Sequence, residues 1–266
     1  MSDTPPTSTP PASSPPLFRQ AISNRTVKLM LGASFLLAAA SSAALATQAL
    51  APGKVGGVTR QQIEQIVHDY ILEHPEILPQ AMEKLSAKRT AETIASYRPN
   101  LETPYAGAWE GAKDGDVVLV EFFDYACGYC RAALPDLARL LAEDKKLKIV
   151  YRELPILSQT SADAAKVSLL VAEKGNYPAF HKALYGAGQI SRDSILAAAQ
   201  AAGVDKKAAQ AALADKAYDS EIANNIALAQ KLKASGTPTF VVGNQVLNGA
   251  VGYDALKAAI ADARAK

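Results

Sequence analysis

Two apolar runs constrain this 266-residue chain more than anything else in it. Residues 117–124 read VVLVEFFD and residues 147–154 read LKIVYREL, both rich in Val, Ile, Leu and Phe and nearly free of the polar alternation of a half-exposed strand. Such runs suit strands buried on both faces. The segment between them, CRAALPDLARLLAEDK, has the apolar period of a helix, so the three pieces predict a parallel strand pair joined by a right-handed helical crossover. Downstream, residues 162–235 form an Ala-rich series of helical segments. The chain then returns to strand, turn, strand and helix in TPTFVVGNQVLNGAVGYDALKAAI, with Gly243-Asn244 as the turn. The expectation is one α/β domain over 117–266 carrying an all-α insertion at about 158–235.

The front of the chain is different in kind. Residues 1–28 are dominated by Pro, Ser and Thr, predict disorder and end in Arg19, Arg25 and Lys28. Residues 29–51 carry no charge and include the small triplet Ala44-Leu45-Ala46, the parts of a secretory signal peptide. The same 23 residues also reach the roughly 20 that a membrane-spanning anchor needs. Both readings keep the basic flank in the cytoplasm and export the remainder to the periplasm, free or tethered. Residues 59–98 predict a short helical segment. Thr59 and Gln62 form a capping box, and Ile63, Ile66, Val67, Tyr70 and Ile71 make an apolar stripe that ends at His74, before Pro75. A second helix from Ile77 to Tyr97 aligns Leu78, Ala81, Met82 and Leu85. The segment is too small for a core of its own, so its stripe packs on the α/β domain or joins copies into a homo-oligomer. Residues 99–116, rich in Pro, Gly and Asp, read as a linker, and Trp109 within them as a packing residue. The chain's 28 Lys/Arg and 26 Asp/Glu leave no basic stripe, which excludes nucleic acid as a partner.

The only two cysteines, Cys127 and Cys130, fall where the first strand gives way to its helix. A helix start offers unpaired N–H groups and the positive end of its dipole, an environment that stabilises a thiolate. Cys127 is therefore the expected nucleophile and Cys130, one turn on, the partner that closes a disulfide. A structural zinc site lacks ligands, because His68, His74 and His181 are not spaced as a pair with another ligand. A two-thiolate copper(I) site is the metal alternative. Inert buried thiols fit poorly with an exported chain, where thiols oxidise.

With these motifs in hand, EFFDYACGYC followed by GTPTFVVGNQVLNGAVGYDALKAAI resembles the DsbA-like thiol:disulfide oxidoreductases over roughly residues 117–264. The N-terminal helices resemble those of longer members, including the suppressor-of-copper-sensitivity group. The resemblance implies a thioredoxin fold interrupted by helices, with Cys127 and Cys130 as the redox pair and no cofactor beyond their disulfide. It implies that Thr237-Pro238 is a cis bond facing the pair and binding substrate backbone, together with Gly128 and Tyr129 in the dipeptide. It makes Glu121 a buried acid that shuttles protons, and Pro135 a structural kink. Implied partners are cysteine-bearing protein substrates and a membrane redox partner that recharges the pair. Gly128-Tyr129 departs from the Pro-His of the strongly oxidising prototype, so a milder oxidase is expected. An oligomeric isomerase or reductase, and a copper carrier of the envelope, are the alternative functions.

Overall fold

The computed structural model describes residues 54, 55, 57–174 and 176–265, in two compact units divided at Pro75. The basic segment 1–28 and the uncharged segment 29–51 lie outside the described residues. Among the described residues no helix is long and apolar enough to cross a membrane.

The first unit holds a small antiparallel hairpin, β1 (Lys54–Val55) and β2 (Val58–Thr59), followed by α1 (Arg60–Glu73). Thr59 caps α1 through the expected box: its backbone N–H donates to Gln62 Oε1 at 2.9 Å, and the Gln62 N–H donates to Thr59 Oγ1 at 3.3 Å. The helix stops with His74 as its C-cap, as Pro75 requires. None of its residues is buried, and Ile66, Val67 and Tyr70 of the apolar stripe are 63%, 50% and 53% exposed.

The second unit begins with α2 (Ile77–Glu102) and then builds a five-stranded sheet in the order β3-β5-β4-β6-β7. Its strands are β3 (Trp109–Gly111), β4 (Val117–Phe123), β5 (Leu147–Glu153), β6 (Thr239–Val242) and β7 (Gln245–Asn248). The β4–β5 pair is parallel, with α3 (Gly128–Glu143) as its crossover, and the other pairs are antiparallel. Five helices between β5 and β6 form the insertion: α4 (Gln159–Lys174), α5 (Tyr177–Gly186), α6 (Arg192–Ala201), α7 (Lys206–Ala214) and α8 (Ala217–Lys231). The helix α9 (Tyr253–Arg264) closes the chain. This is the expected thioredoxin-like fold with a helical insertion.

Alternation along β4 sends side chains to two cores. Leu119 and Phe123 join Ile149, Phe240, Val242, Leu137 and Leu140 on the face covered by α3, α9 and the insertion. Val120 and Phe122 join Val150, Val241, Ile94 and Leu101 on the face covered by α2 and α8. Burial of one such side chain is worth about 1.5–3 kcal/mol, so β4, with six of its seven residues buried, is the axis of the unit.

Residues 99–116 do not form the expected irregular linker. Helix α2 runs through Pro99 to Glu102, and Trp109–Gly111 pairs with β5 as an edge strand. The extra turn persists because Leu101 is 1% exposed against the sheet and because the Arg152 guanidinium reaches the orphan carbonyls at the helix end. Arg152 donates to the carbonyls of Asn100, Leu101 and Thr103, and also to Glu221 at 3.0 Å and Asn225 at 3.3 Å on α8. Trp109 packs as expected, with Lys148 Nζ 5.2 Å from its ring centre.

Removing one partner of a buried pair strands the other and costs roughly 3–5 kcal/mol. Arg152→Ala should therefore destabilise the protein by about that amount in urea unfolding, with loss of the last turn of α2. A change below about 1 kcal/mol, the worth of an exposed ion pair, would refute this account of the clasp.

Candidate functional site

The site forms where β4 ends. Asp124, 1% exposed, organises the turn into α3. Its carboxylate accepts from the Ala126 N–H at 2.7 Å and from the Leu157 N–H at 2.9 Å. Its carbonyl accepts from the Cys127 N–H at 2.9 Å and from the Tyr185 hydroxyl at 3.0 Å. Sequence reasoning passed over Asp124. The signal was an Asp at a strand end three residues before the cysteine, where an Asx turn is favourable.

Cys127 is the N-cap of α3, with an extended backbone (φ −78°, ψ 115°). Its sulfur accepts from the Cys130 N–H at 3.2 Å, one of the orphan donors of the helix start, and its thiol donates to the Thr237 carbonyl at 3.2 Å. Both cysteines are free thiols here. The Thr237-Pro238 bond is cis, and the Thr237 carbonyl lies against the sulfur. That loop is pinned by Asn248, whose Oδ1 accepts from the Ser235 N–H at 3.0 Å and from Thr239 Oγ1 at 3.1 Å. The structure thus brings together residues from opposite ends of the domain.

Cys130 has no exposure, and burial, reinforced by nearby Glu121, pushes its thiol well above the ordinary range. Glu121 lies 1% exposed on the central strand, opposite Tyr151 in β5 and Phe240 in β6. It is therefore not an edge residue facing water. Burial raises its carboxyl to about 8, helped by the Cys127 sulfur and by Glu110, and its Oε2 has no hydrogen-bond partner. A second acid on the same face, Glu153, is also buried and pushed upward by burial.

Gly128 and Tyr129 stand at the rim. Tyr129 is 73% exposed, and a Cβ on Gly128 would meet nothing within 4 Å. The first turn of α3 therefore imposes no steric choice on the dipeptide. Pro135 lies inside α3. Among the described residues no group of three or more His, Cys, Asp or Glu side chains could hold a metal. His181 is buried among Phe123, Tyr151 and Tyr177, far from the role of a ligand, and burial lowers it to about 3, so it stays neutral.

Raised carboxyl groups couple stability to pH. Between the unfolded carboxyl value of about 4.3 and its folded value of about 8, Glu121 binds its proton in the folded state and loses it on unfolding. Its contribution is complete below about 4.3 and is lost as pH rises through 8, at a slope of up to about 1.4 kcal/mol per pH unit. Glu121→Gln should flatten that decline in urea unfolding of the reduced protein, leaving the part due to Glu153. An unchanged slope would show that Glu121 does not hold its proton in this range.

Comparison with known proteins agrees with this geometry. The DSBA-like thioredoxin domain matches residues 118–261, and the copper resistance protein ScsC N-terminal domain matches residues 60–92. A thioredoxin-like oxidoreductase from Silicibacter pomeroyi is 38% identical with a TM-score of 0.59, covering 62% of this chain and 96% of that one. The thiol-disulfide exchange protein alpha-DsbA2 from Wolbachia pipientis is 29% identical with a TM-score of 0.60, covering 67% and 97%. The catalytic domain of Proteus mirabilis ScsC is 29% identical with a TM-score of 0.59, covering 66% and 99%. The Na(+)/H(+) antiporter NhaA 3 of Salinispora tropica is 30% identical over 159 residues, 58% of this chain. The chain spans about a quarter, 24%, of the length of that curated relative. With a family model matched across more than half its length, the chain belongs to the DSBA-like thioredoxin domain family.

Proposed function

We propose that this chain is an exported thiol:disulfide oxidoreductase that exchanges disulfides with cysteine-bearing proteins, working as an oxidase. The observation that carries this reading is the Cys127 sulfur, held at 3.2 Å from both the first turn of α3 and the cis-proline loop. In the oxidised pair, a substrate thiolate attacks Cys127 Sγ and the Cys127–Cys130 bond breaks. Cys130 leaves as a thiolate in a buried site that disfavours that charge, and takes the Glu121 proton. A second substrate thiolate then attacks the substrate sulfur of the mixed disulfide and releases Cys127. The substrate loses two electrons and the pair gains them, to be passed to a membrane redox partner. Pro238 lacks an N–H, which leaves the neighbouring backbone groups of the Thr237 loop available to an extended peptide.

An isomerase or reductase is the second reading, favoured by the exposed apolar stripe of α1 and by the match of residues 60–92 to the ScsC N-terminal domain. Copies joined through residues 59–98 would present several pairs to one substrate. The likeness of residues 60–92 to a copper resistance protein domain motivates a third reading, copper(I) held by the two thiolates.

Oxidation of reduced ribonuclease, reactivation of its scrambled form and light scattering on the full chain separate these readings. The expected result is catalysed oxidation that Cys127→Ser abolishes, and, in Cys130→Ala, a mixed disulfide that accumulates with the scrambled enzyme, because Cys127 attacks a substrate disulfide and no second thiol is present to displace it. Turnover unaffected by Cys127→Ser would refute the exchange reading, and reactivation of the scrambled enzyme by an oligomer would move the function to isomerase. A further prediction follows from the open rim. Pro is well suited to the first helical position, and an imidazolium beside a thiolate stabilises the reduced form. Gly128→Pro with Tyr129→His should make the pair more oxidising by about tenfold in its glutathione equilibrium, about 30 mV, and raise the unfolding stability of the reduced form relative to the oxidised form by the equivalent of about 1.4 kcal/mol. No shift would mean that the dipeptide does not set the poise.

A further inference from the structure

The exchange reading leaves a proton unaccounted for. Glu121 is sealed, so any proton it gives to Cys130 must be replaced through the protein. The sheet offers a line for this. Glu121 on β4 stands opposite Tyr151 on β5, their side chains on one face. The Tyr151 hydroxyl donates to Glu110 Oε1 at 3.1 Å. Glu110 sits on β3 in register with Ile149, two residues before Tyr151, and therefore on the same face. Beneath α3, Glu110 and Tyr151 line an open groove of about 870 Å³ whose wall is otherwise mainly apolar. The Glu121 oxygen that no donor occupies gives the inner end of this line an unused acceptor. Neutral His181 in the same wall brings no charge to it.

We propose that Glu110 is a positioning residue for the exchange reaction, the water-side end of a path Glu110–Tyr151–Glu121 through which the buried acid regains and releases its proton by way of the groove. This rests on the thiol-exchange reading above. Inward, the Tyr151 hydroxyl turns from Glu110 and passes its proton to the Glu121 carboxylate, the Glu110 carboxyl gives a proton to the Tyr151 oxygen, and Glu110 takes a proton from groove water. One O–H bond breaks for each that forms, and no electron moves. The reverse sequence serves re-oxidation, when Cys130 returns its proton. The groups that act on Glu121 are Cys127 and Cys130 from α3, Tyr151 and Glu153 from β5, and Tyr125, Tyr185 and Glu110. Those that act on Glu110 are Tyr151 and Lys182. Burial of Glu110 lifts its carboxyl, which keeps it able to carry a proton.

Glu110→Gln tests this in the full chain, because the amide oxygen still accepts from Tyr151 while the proton and the charge are gone. The measurements are the stopped-flow rate of disulfide reduction by dithiothreitol against pH, in water and in deuterium oxide, and the infrared carboxylic band of Glu121, identified by its loss in Glu121→Gln. The expected result is a slowing of about tenfold, below the 10²–10⁴-fold of a direct acid–base group, with a changed isotope effect. The Glu121 band should titrate at lower pH, since a like charge is removed. Tyr151→Phe should slow the reaction similarly, and Glu110→Asp should recover part of the rate. If Glu110→Gln leaves rate, isotope effect and band titration unchanged, the path is overturned while exchange stands. A rate loss without movement of the band, accompanied by reduced stability, also overturns it. A parent chain that exchanges no disulfides refutes the underlying reading instead.

Discussion

A carboxyl in the middle of the central strand, 1% exposed and with one oxygen that no protein donor reaches, is the constraint around which the domain is arranged. An ionised carboxylate cannot be left there, so the group keeps its proton near neutral pH. Glu121 occupies a position that Leu or Val would fill with less strain on stability, and its neighbours on the strand are all apolar. The cost makes sense only beside sulfur that must change its protonation state. Under the exchange proposed above, Cys130, entirely buried on the next element, is such a group.

The topology explains why these parts meet. A parallel crossover forces the chain off the carboxyl end of β4 into the start of α3, which sets Cys127 among unpaired N–H groups. The antiparallel return of β6 along the other side of β4 brings the Thr237-Pro238 loop to the same end of the sheet. Asp124 and Asn248 then fix the two loops by hydrogen bonds within the domain.

Much of this was legible in the residues, and the exceptions have physical causes. The β4 and β5 runs, the cysteines between them, the capping box at Thr59 and the hairpin at Gly243-Asn244 are local signals, and each lies where periodicity or turn chemistry places it. Residues 99–116 misled because Pro, Gly and Asp mark loops statistically, while the last turn of α2 is held by Arg152, a residue some 50 positions away. The strand at Trp109–Gly111 is three residues long, too short to show a period, and exists through its pairing with β5. Glu110 therefore gave no sign of lying near Glu121. Asp124 was legible only in part, since its turn onto the Ala126 N–H is a local signal while the Leu157 N–H that completes its role is supplied by the fold.

The Arg152 clasp also bears on how the second unit comes apart. One guanidinium at the end of β5 joins residues 49 to 73 positions away in the chain, at the C-terminus of α2 and on α8. Local openings of those two helices would each leave a buried cation short of partners, so fraying of one raises the cost of holding the other. Their amide protons should therefore share one opening event with β5 rather than exchange as separate helices. The helices that flank the sheet on its far side thus belong to the same cooperative block as the strand beside the cysteines, although they contribute no atom to the chemistry.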